Sequence, residues 1–299
     1  MNHPTPMRSP STAPSLWRRM FHGTRQIRQQ PDWVRFAGVD WPDRIMAEVV
    51  TDKLHEKQGR AIARWTLTDG SQKLIAFLKR HYKLPWIHGV LATLFPRQAW
   101  SPGLQEWQHL EWAKAEGFPV PRAVAAGQFV GPWFKLSGFI AVEELTGKLP
   151  LHQAVPLAFE RLDPASFLSW KRGLTVELAR IARELHRRKA FHKDLYFCHF
   201  YIDESLTQRV PESWTNRAIV IDLHRMAKHT LLAKWFQVKD LAQFWYSSEV
   251  PGVTARDRLR FWKLYGIGGE WLRPLIRTKW QLYRRHARRK TQKATGSIG

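Results

Sequence analysis

The chain has 299 residues, 44% hydrophobic and 24% charged, a balance that suits one large folded domain or two modest ones and excludes a disordered chain. A single cysteine excludes an internal disulfide framework and fits a reducing compartment. Lys and Arg number 48 against 25 Asp and Glu, a formal charge of +23, so an anionic partner is expected: nucleic acid, a membrane surface or a phosphorylated substrate.

Residues 1–33 read as a flexible basic arm. Met1–Ser15 is polar and rich in Pro, Ser and Thr, without the apolar run of a secretory signal. The nearest approach to a spanning segment, Trp86–Phe95, falls short of the about 20 apolar residues required. A cytoplasmic chain is expected, able to lie against a membrane. Sixteen tryptophans fit either an aromatic core or a lipid interface.

From Val34 to Glu144 most signals are strands. Ala61–Thr68 alternates as a strand should, and Thr68-Asp69-Gly70-Ser71 turns it into a second, Lys73–Arg80. Leu104, Trp107, Leu110 and Ala113 recur every three residues, predicting a helix that stops at Gly117 ahead of Pro119 and Pro121. The apolar run Phe139–Val142 follows and ends at Glu143 and Glu144. Beyond Gly147 the pattern turns helical, with Leu174, Leu178, Ile181 and Leu185 on one face. Next come His192-Lys193-Asp194, a short strand Ala218–Ile221 closed by Asp222, and helices over Lys234–Ser247 and Asp257–Tyr265. A strand-rich half, a hinge near Glu144 and a helix-rich half predict two lobes around a cleft.

Phosphoryl transfer needs a cation on the donor phosphates, metal-binding carboxylates, and a carboxylate beside the attacking hydroxyl. The sequence supplies each of these groups. Lys79 ends the apolar strand, Glu106 on the next helix is placed to hold it, Asp194 follows a helix, and Asp222 closes a strand. His192, Cys198, His199 and His224 lack the paired spacing of a zinc site, and Cys198 reads as packing rather than as a nucleophile.

The strings HKDLYFCHF at 192–200, VIDLHR at 220–225, VKDLAQFWYSS at 238–248 and QEWQHLE at 105–111 resemble the lipopolysaccharide kinase (Kdo/WaaP) family, whose members phosphorylate inner-core sugars. The likeness spreads over roughly residues 34–285. It implies an α+β, two-lobed, protein-kinase-like fold: 34–145 an N-lobe of antiparallel sheet plus one helix, 146–282 a mainly helical C-lobe, and 283–299 a basic tail. It further implies ATP with Mg²⁺ or Mn²⁺, and a heptose or Kdo hydroxyl of the lipopolysaccharide core as acceptor.

Carried over by position, Asp194 takes the hydroxyl proton, while His199 and Asp222 hold the metal. Lys79 and Gly59 contact the phosphates, Glu106 fixes Lys79, and Glu143, Glu144 and Leu145 line the adenine hinge. Asp240 braces the catalytic loop. The chain departs from protein kinases in having no Gly-rich loop, in Asp222-Leu223-His224 where Asp-Phe-Gly is usual, and in Tyr196 two positions after Asp194, where a lysine is common. Lys193 or Arg225 stands in for that lysine. The basic tail, with Trp86, Trp100 and Val90–Phe95, suggests peripheral contact with anionic lipid on the cytoplasmic face of the inner membrane. The competing readings are a protein kinase or small-molecule phosphotransferase of the same fold, and an idle kinase-like scaffold or nucleic-acid binder. No specific nucleic acid is expected, since no zinc-finger spacing, basic-zipper pattern or aromatic RNA-binding string is present.

Overall fold

The computed structural model describes residues 15–48, 52–57, 59–266 and 271–295. By contact density it divides into two units, residues 1–105 with 124–142, and residues 106–123 with 143–299.

The first unit is built on a six-stranded sheet. It begins with α1 (Leu16–His22), β1 (Thr24–Gln29), α2 (Trp33–Ala37) and α3 (Trp41–Arg44), and continues through β2 (Asp52–Lys57), β3 (Arg60–Asp69), β4 (Gln72–His81) and α4 (Trp86–Leu94). The sheet is completed by β5 (Ala123–Val130) and β6 (Leu136–Glu143), in the order β1-β5-β6-β4-β3-β2. The expected hairpin is present: β3 and β4 pair antiparallel from Arg60↔His81 to Asp69↔Gln72, and Gly70 takes the positive φ (+57) of the tight turn.

Burial alternates along β4. Leu74, Ala76, Leu78 and Arg80 face inward, so Ile75, Phe77 and Lys79 share the other, half-buried face. The inward face packs on Trp33, Trp41 and Ile45 together with Val124, Phe139 and Ala141. The buried Arg80 guanidinium donates to the carbonyls of Ile45, Met46 and Glu48, which supplies acceptors for an otherwise costly buried charge and ties the end of α3 to the sheet.

This corrects the reading of residues 1–33 as a flexible arm and of the N-lobe as a sheet with one helix. Residues 1–14 lie outside the described residues, but α1 is capped by Ser15, and β1 is an edge strand paired with β5 from Thr24↔Val130 to Gln29↔Ala125. Elements of five to seven residues carry too few periods for a sequence pattern to register.

The helix predicted around Leu104 is α5 (Pro102–Ala115). It starts in the first unit, while residues 106–123 cluster with the second, which moves part of the expected 34–145 lobe. The reason is visible in the contacts. A His109 ring nitrogen bonds the Leu223 carbonyl (2.8 Å), Glu116 pairs with Arg188 (2.8 Å), Lys228 caps the Trp112 ring, and Val220 donates to the Pro119 carbonyl.

The second unit contains β7 (Lys148–Pro150), α6 (Leu151–Arg161), α7 (Pro164–Arg187), β8 (Ala190–Phe191), β9 (Phe200–Asp203), β10 (Ile219–Val220), β11 (Ala227–Lys228), α8 (Ala233–Ser247), α9 (Ala255–Tyr265) and α10 (Leu272–Thr295). Asp163 caps α7 by accepting from the amides of Ala165 and Ser166. The predicted face Leu174, Leu178, Ile181 and Leu185 is buried, with Phe167 and Trp170 continuing it. Residues 283–295, expected as a separate tail, continue α10.

Candidate active site

Two short ladders create the site in the second unit. β8 leads through residues 192–199 into β9, and β10 leads through residues 221–226 into β11. β9 pairs with β10 at Phe200↔Val220, and β8 pairs with β11 at Phe191↔Ala227. Pinned at both ends, the loop that carries Asp194 and His199 must face the turn that carries Asp222. These three sequence-predicted residues are thereby brought together.

The loop takes its conformation from α8. Asp240, fully buried, accepts the amides of His192 and Lys193 at 2.8 Å each. Gln243 accepts the Leu195 amide (3.3 Å), and Ser247 accepts that of Phe197 (2.9 Å). Positions 240, 243 and 247 follow the three- and four-residue helical spacing, so one face of one helix satisfies four backbone donors of the loop. The amides held by Asp240 fix Lys193 in the left-handed region (φ +66), an unfavourable state for a side-chain-bearing residue unless its surroundings impose it.

Asp240 is itself held from behind. His186 Nε2 lies 3.3 Å from Asp240 Oδ2, its Nδ1 lies 2.7 Å from the Tyr265 hydroxyl, and Gln237 donates to that hydroxyl at 2.6 Å. A carboxylate only accepts, so His186 carries its proton on Nε2, accepts at Nδ1 from Tyr265, and the chain closes on Gln237. Burial pushes the Tyr265 hydroxyl well above its ordinary pKa and keeps it a neutral donor.

The Asp194 carboxylate is partly exposed, at 17%. Arg225 Nη1 reaches both its oxygens, at 3.2 and 2.9 Å, and Gln243 Nε2 lies 3.4 Å from Oδ1. Two lysines add positive charge nearby. Burial lowers the pKa of Lys193, and the Arg225 charge lowers it further; burial likewise lowers that of Lys239, against the attraction of Asp194.

His199 and Asp222, the expected metal ligands, face one another. His199 Nδ1 donates to the Asp194 carbonyl at 2.6 Å, leaving the Nε2 lone pair 3.8 Å from Asp222 Oδ2. Burial opposes protonation of His199. The Cys198 thiol, the Asp194 carbonyl and the Asp222 charge outweigh it, and the pKa rises. His224 Nδ1 holds Asp222 Oδ1 at 2.7 Å, and Asp222 sits in the left-handed region (φ +62). His192 is fully buried, with its pKa lowered by desolvation; its ring bonds the Ile221 carbonyl at 3.0 Å and stacks on His199. Among the described residues no cluster of three or more His, Cys, Asp or Glu forms a complete metal cage. His199 and Asp222 are one nitrogen and one oxygen donor, a mixed set open to Mn²⁺ as well as Mg²⁺.

The other expected residues fall elsewhere. Lys79 lies on β4, and Gly59 (φ +79) precedes β3, with Gln58 outside the described residues. Glu106 is 3% exposed on α5, close enough to His109 to oppose the lowering of that ring's pKa by burial. At the expected hinge residues, Glu143 directs its amide and its carboxylate to Arg122 (2.8 and 3.3 Å), Thr146 donates to Glu144, and Leu145 accepts from Lys148. Sequence reasoning missed Lys239 and Gln243. Gln243 lies three residues after Asp240, and that helical spacing was the available signal; Lys239, adjacent to Asp240 in the chain, gave none.

The profile of the lipopolysaccharide kinase (Kdo/WaaP) family matches residues 50–265. The chain is 31% identical over 210 residues to the lipopolysaccharide core heptose(I) kinase WaaP of Pseudomonas aeruginosa PAO1, spanning 70% of this chain and 75% of that protein. It is 30% identical over 162 residues to the enzyme of that name from Escherichia coli K12, spanning 54% of this chain and 58% of that one. A solved structure of WaaP in complex with acyl carrier protein is similar at a TM-score of 0.61 and 27% identity, covering 89% of this chain and 98% of that one. The likeness gives the two-lobed, kinase-like α+β fold.

Proposed function

The chain belongs to the lipopolysaccharide kinase (Kdo/WaaP) family, and on that premise we propose which of its residues perform the transfer. It is an ATP-dependent phosphotransferase that acts on a sugar hydroxyl of the lipopolysaccharide inner core; the acceptor we assign is a heptose. One observation carries the assignment of roles: Asp194, anchored by Arg225, shares a loop with His199, whose Nε2 faces Asp222.

Asp194 accepts the proton of the sugar hydroxyl as that oxygen bonds to the γ-phosphorus and the bond to the ADP oxygen breaks. Arg225 holds the Asp194 carboxylate in position and places positive charge beside the transferring group, the task left open by Tyr196. Asp240, Gln243 and Ser247 fix the loop, so Asp194 is positioned before substrate arrives. His199 and Asp222 would hold a divalent cation, Mg²⁺ or Mn²⁺, which would neutralise charge on the nucleotide phosphates. By the family likeness we assign Lys79 and Gly59 to the nucleotide phosphates, Glu106 to the support of Lys79, and Glu143, Glu144 and Leu145 to the adenine.

Two partner assignments follow the same likeness. The solved relative bound to acyl carrier protein supports assigning such a carrier as a partner of this chain. The second unit holds an apolar pocket, lined by residues including Leu174, Leu178, Phe244, Phe261 and Ile276, of the kind that takes a hydrocarbon chain. Among the described residues no helix is long and apolar enough to cross a membrane; the place assigned is peripheral, on the cytoplasmic face of the inner membrane where the glycolipid acceptor is reached.

The test is transfer of labelled γ-phosphate from ATP to dephosphorylated core lipopolysaccharide, with a generic protein as a second acceptor. Label on the glycolipid that disappears in Asp194→Ala supports the reading. Label on the protein acceptor alone overturns it.

A further inference from the structure

We propose that α1, α4 and the 3-10 turn Pro132–Phe134 of the first unit form a surface that docks into the headgroup layer of an anionic bilayer. This deepens the reading above, in which the acceptor is lipid-anchored.

The outward face of α4 is apolar from end to end. Trp86, Val90 and Leu94 recur at four-residue steps, with Ile87 and Leu91 on the neighbouring row. Trp86 is 71% exposed, and Ile87, Leu94 and Phe95 are about half exposed or slightly less (46%, 45% and 50%). The inward face is made of small residues, Gly89, Ala92 and Thr93. A Cβ on Gly89 would collide with the Phe134 carbonyl, so α4 lies tight against the turn at 132–134.

That turn carries a second, independent observation. Trp133 and Phe134 both adopt positive φ (58 and 64), rare for aromatic residues and sustained only where the surroundings impose it. The result leaves Trp133 65% exposed, edge-on to Phe21 of α1. Phe21 stacks with Trp17, itself 68% exposed, and Arg19 locks α1 to α4 by donating to the carbonyls of Thr93 and Leu94. Large apolar side chains on three neighbouring elements are thus held out to solvent by a rigid frame, where a soluble surface ordinarily scatters them singly.

Charge selects the occupant. Residues 15–30, 82–104 and 130–136 contain no Asp or Glu, while Arg18, Lys83, Arg97 and Lys135 in those segments are exposed. Exposed tryptophans and leucines with cations and no acids match the interfacial layer of an anionic membrane.

The experiment is sedimentation of the full-length protein with vesicles of phosphatidylethanolamine and phosphatidylglycerol, and with phosphatidylcholine alone, at low and high salt. The double variant W86E/L94E and the milder W86S/L94S are compared with wild type. All three are also assayed on a water-soluble, deacylated core oligosaccharide, which reports folding independently of membrane. The expected result is salt-sensitive wild-type binding to the anionic vesicles, weakened about tenfold or more in W86E/L94E, with activity on the soluble acceptor unchanged. Equal binding by wild type and W86E/L94E overturns the proposal. So does loss of binding only in a variant of the exposed Trp235 on α8, or a dimer that W86E/L94E splits in wild type that ignores vesicles. If no form phosphorylates the soluble acceptor, the acceptor assignment fails while the vesicle result, with thermal melting as the folding check, still decides this one.

Discussion

The loop from 192 to 197 and the strand face around Lys79 hold their charged residues by different means. The loop has no ladder of its own through these residues; four of its amides depend on three side chains of α8. Lys79 sits opposite Ile62 in a continuous antiparallel register, so its position comes from backbone pairing and from the alternation that buries Leu78 and Arg80 behind it. Side-chain acceptors can be deleted one at a time, whereas a ladder cannot. The loop should therefore be sensitive to substitutions well away from Asp194, and the strand only to the lysine itself.

The largest expected effect is at the loop's own carboxylate. Asp194→Ala should lower kcat by at least about 100-fold, the usual scale of a lost general base, while leaving the melting temperature near that of wild type because the side chain is partly exposed. A large fall in stability would instead mark Asp194 as structural. Next is Asp240→Ala, which strands the buried His192 amide, the part-buried Lys193 amide and the His186 ring at about 1–3 kcal/mol for each buried unsatisfied group. Denaturant melts should report the loss, and activity should fall with it. Ser247→Ala removes one acceptor and should cost about 1 kcal/mol. If Asp240→Ala proves no worse than Ser247→Ala, the dependence of the loop on α8 is wrong.

On the strand side, Lys79→Met should raise the KM for ATP about tenfold, the value of roughly 1.4 kcal/mol of phosphate contact, with stability unchanged. Steady-state kinetics at varied ATP decides it. The smallest effect is in pH. Burial opposes ionisation of Asp257, but Lys171 and Thr254 outweigh it, so its pKa lies below the ordinary 3.8. The unfolded chain then binds the proton more readily, so the stabilisation is present above about pH 4 and is lost as pH falls through the lower folded value. Asp257→Asn should remove that part of the acid dependence in melts recorded across the range.

Much of the second unit was legible because its signals are contiguous. The α7 face needed only the steps between Leu174 and Leu185, and Asp194, His199 and Asp222 lie within two short strings. The first unit was harder to read. Trp33 and Trp41 drive short helices onto the sheet, and the pairing of β1 with β5 joins residues about a hundred apart, which no local window detects. Arg225 was named only as a substitute for a missing lysine, and its bond to Asp194 depends on the turn of 221–226 being folded back against the loop. Lys239 and Gln243 looked like the polar face of a helix until the loop amides gave them partners.

Sequence by itself determined the family, the phosphoryl-transfer chemistry, the strand and helix that bear Lys79 and Glu106, and the strings that carry Asp194, His199 and Asp222. These depend on residue type and short spacing. Tertiary structure alone decided which helix braces the loop, which arginine meets Asp194, that residues 16–29 are folded, and that Trp17, Trp86 and Trp133 of α1, α4 and the turn between β5 and β6 are left exposed. Each of these is a contact between segments distant in the chain, and the free energy of such a contact exists only once both segments are in place.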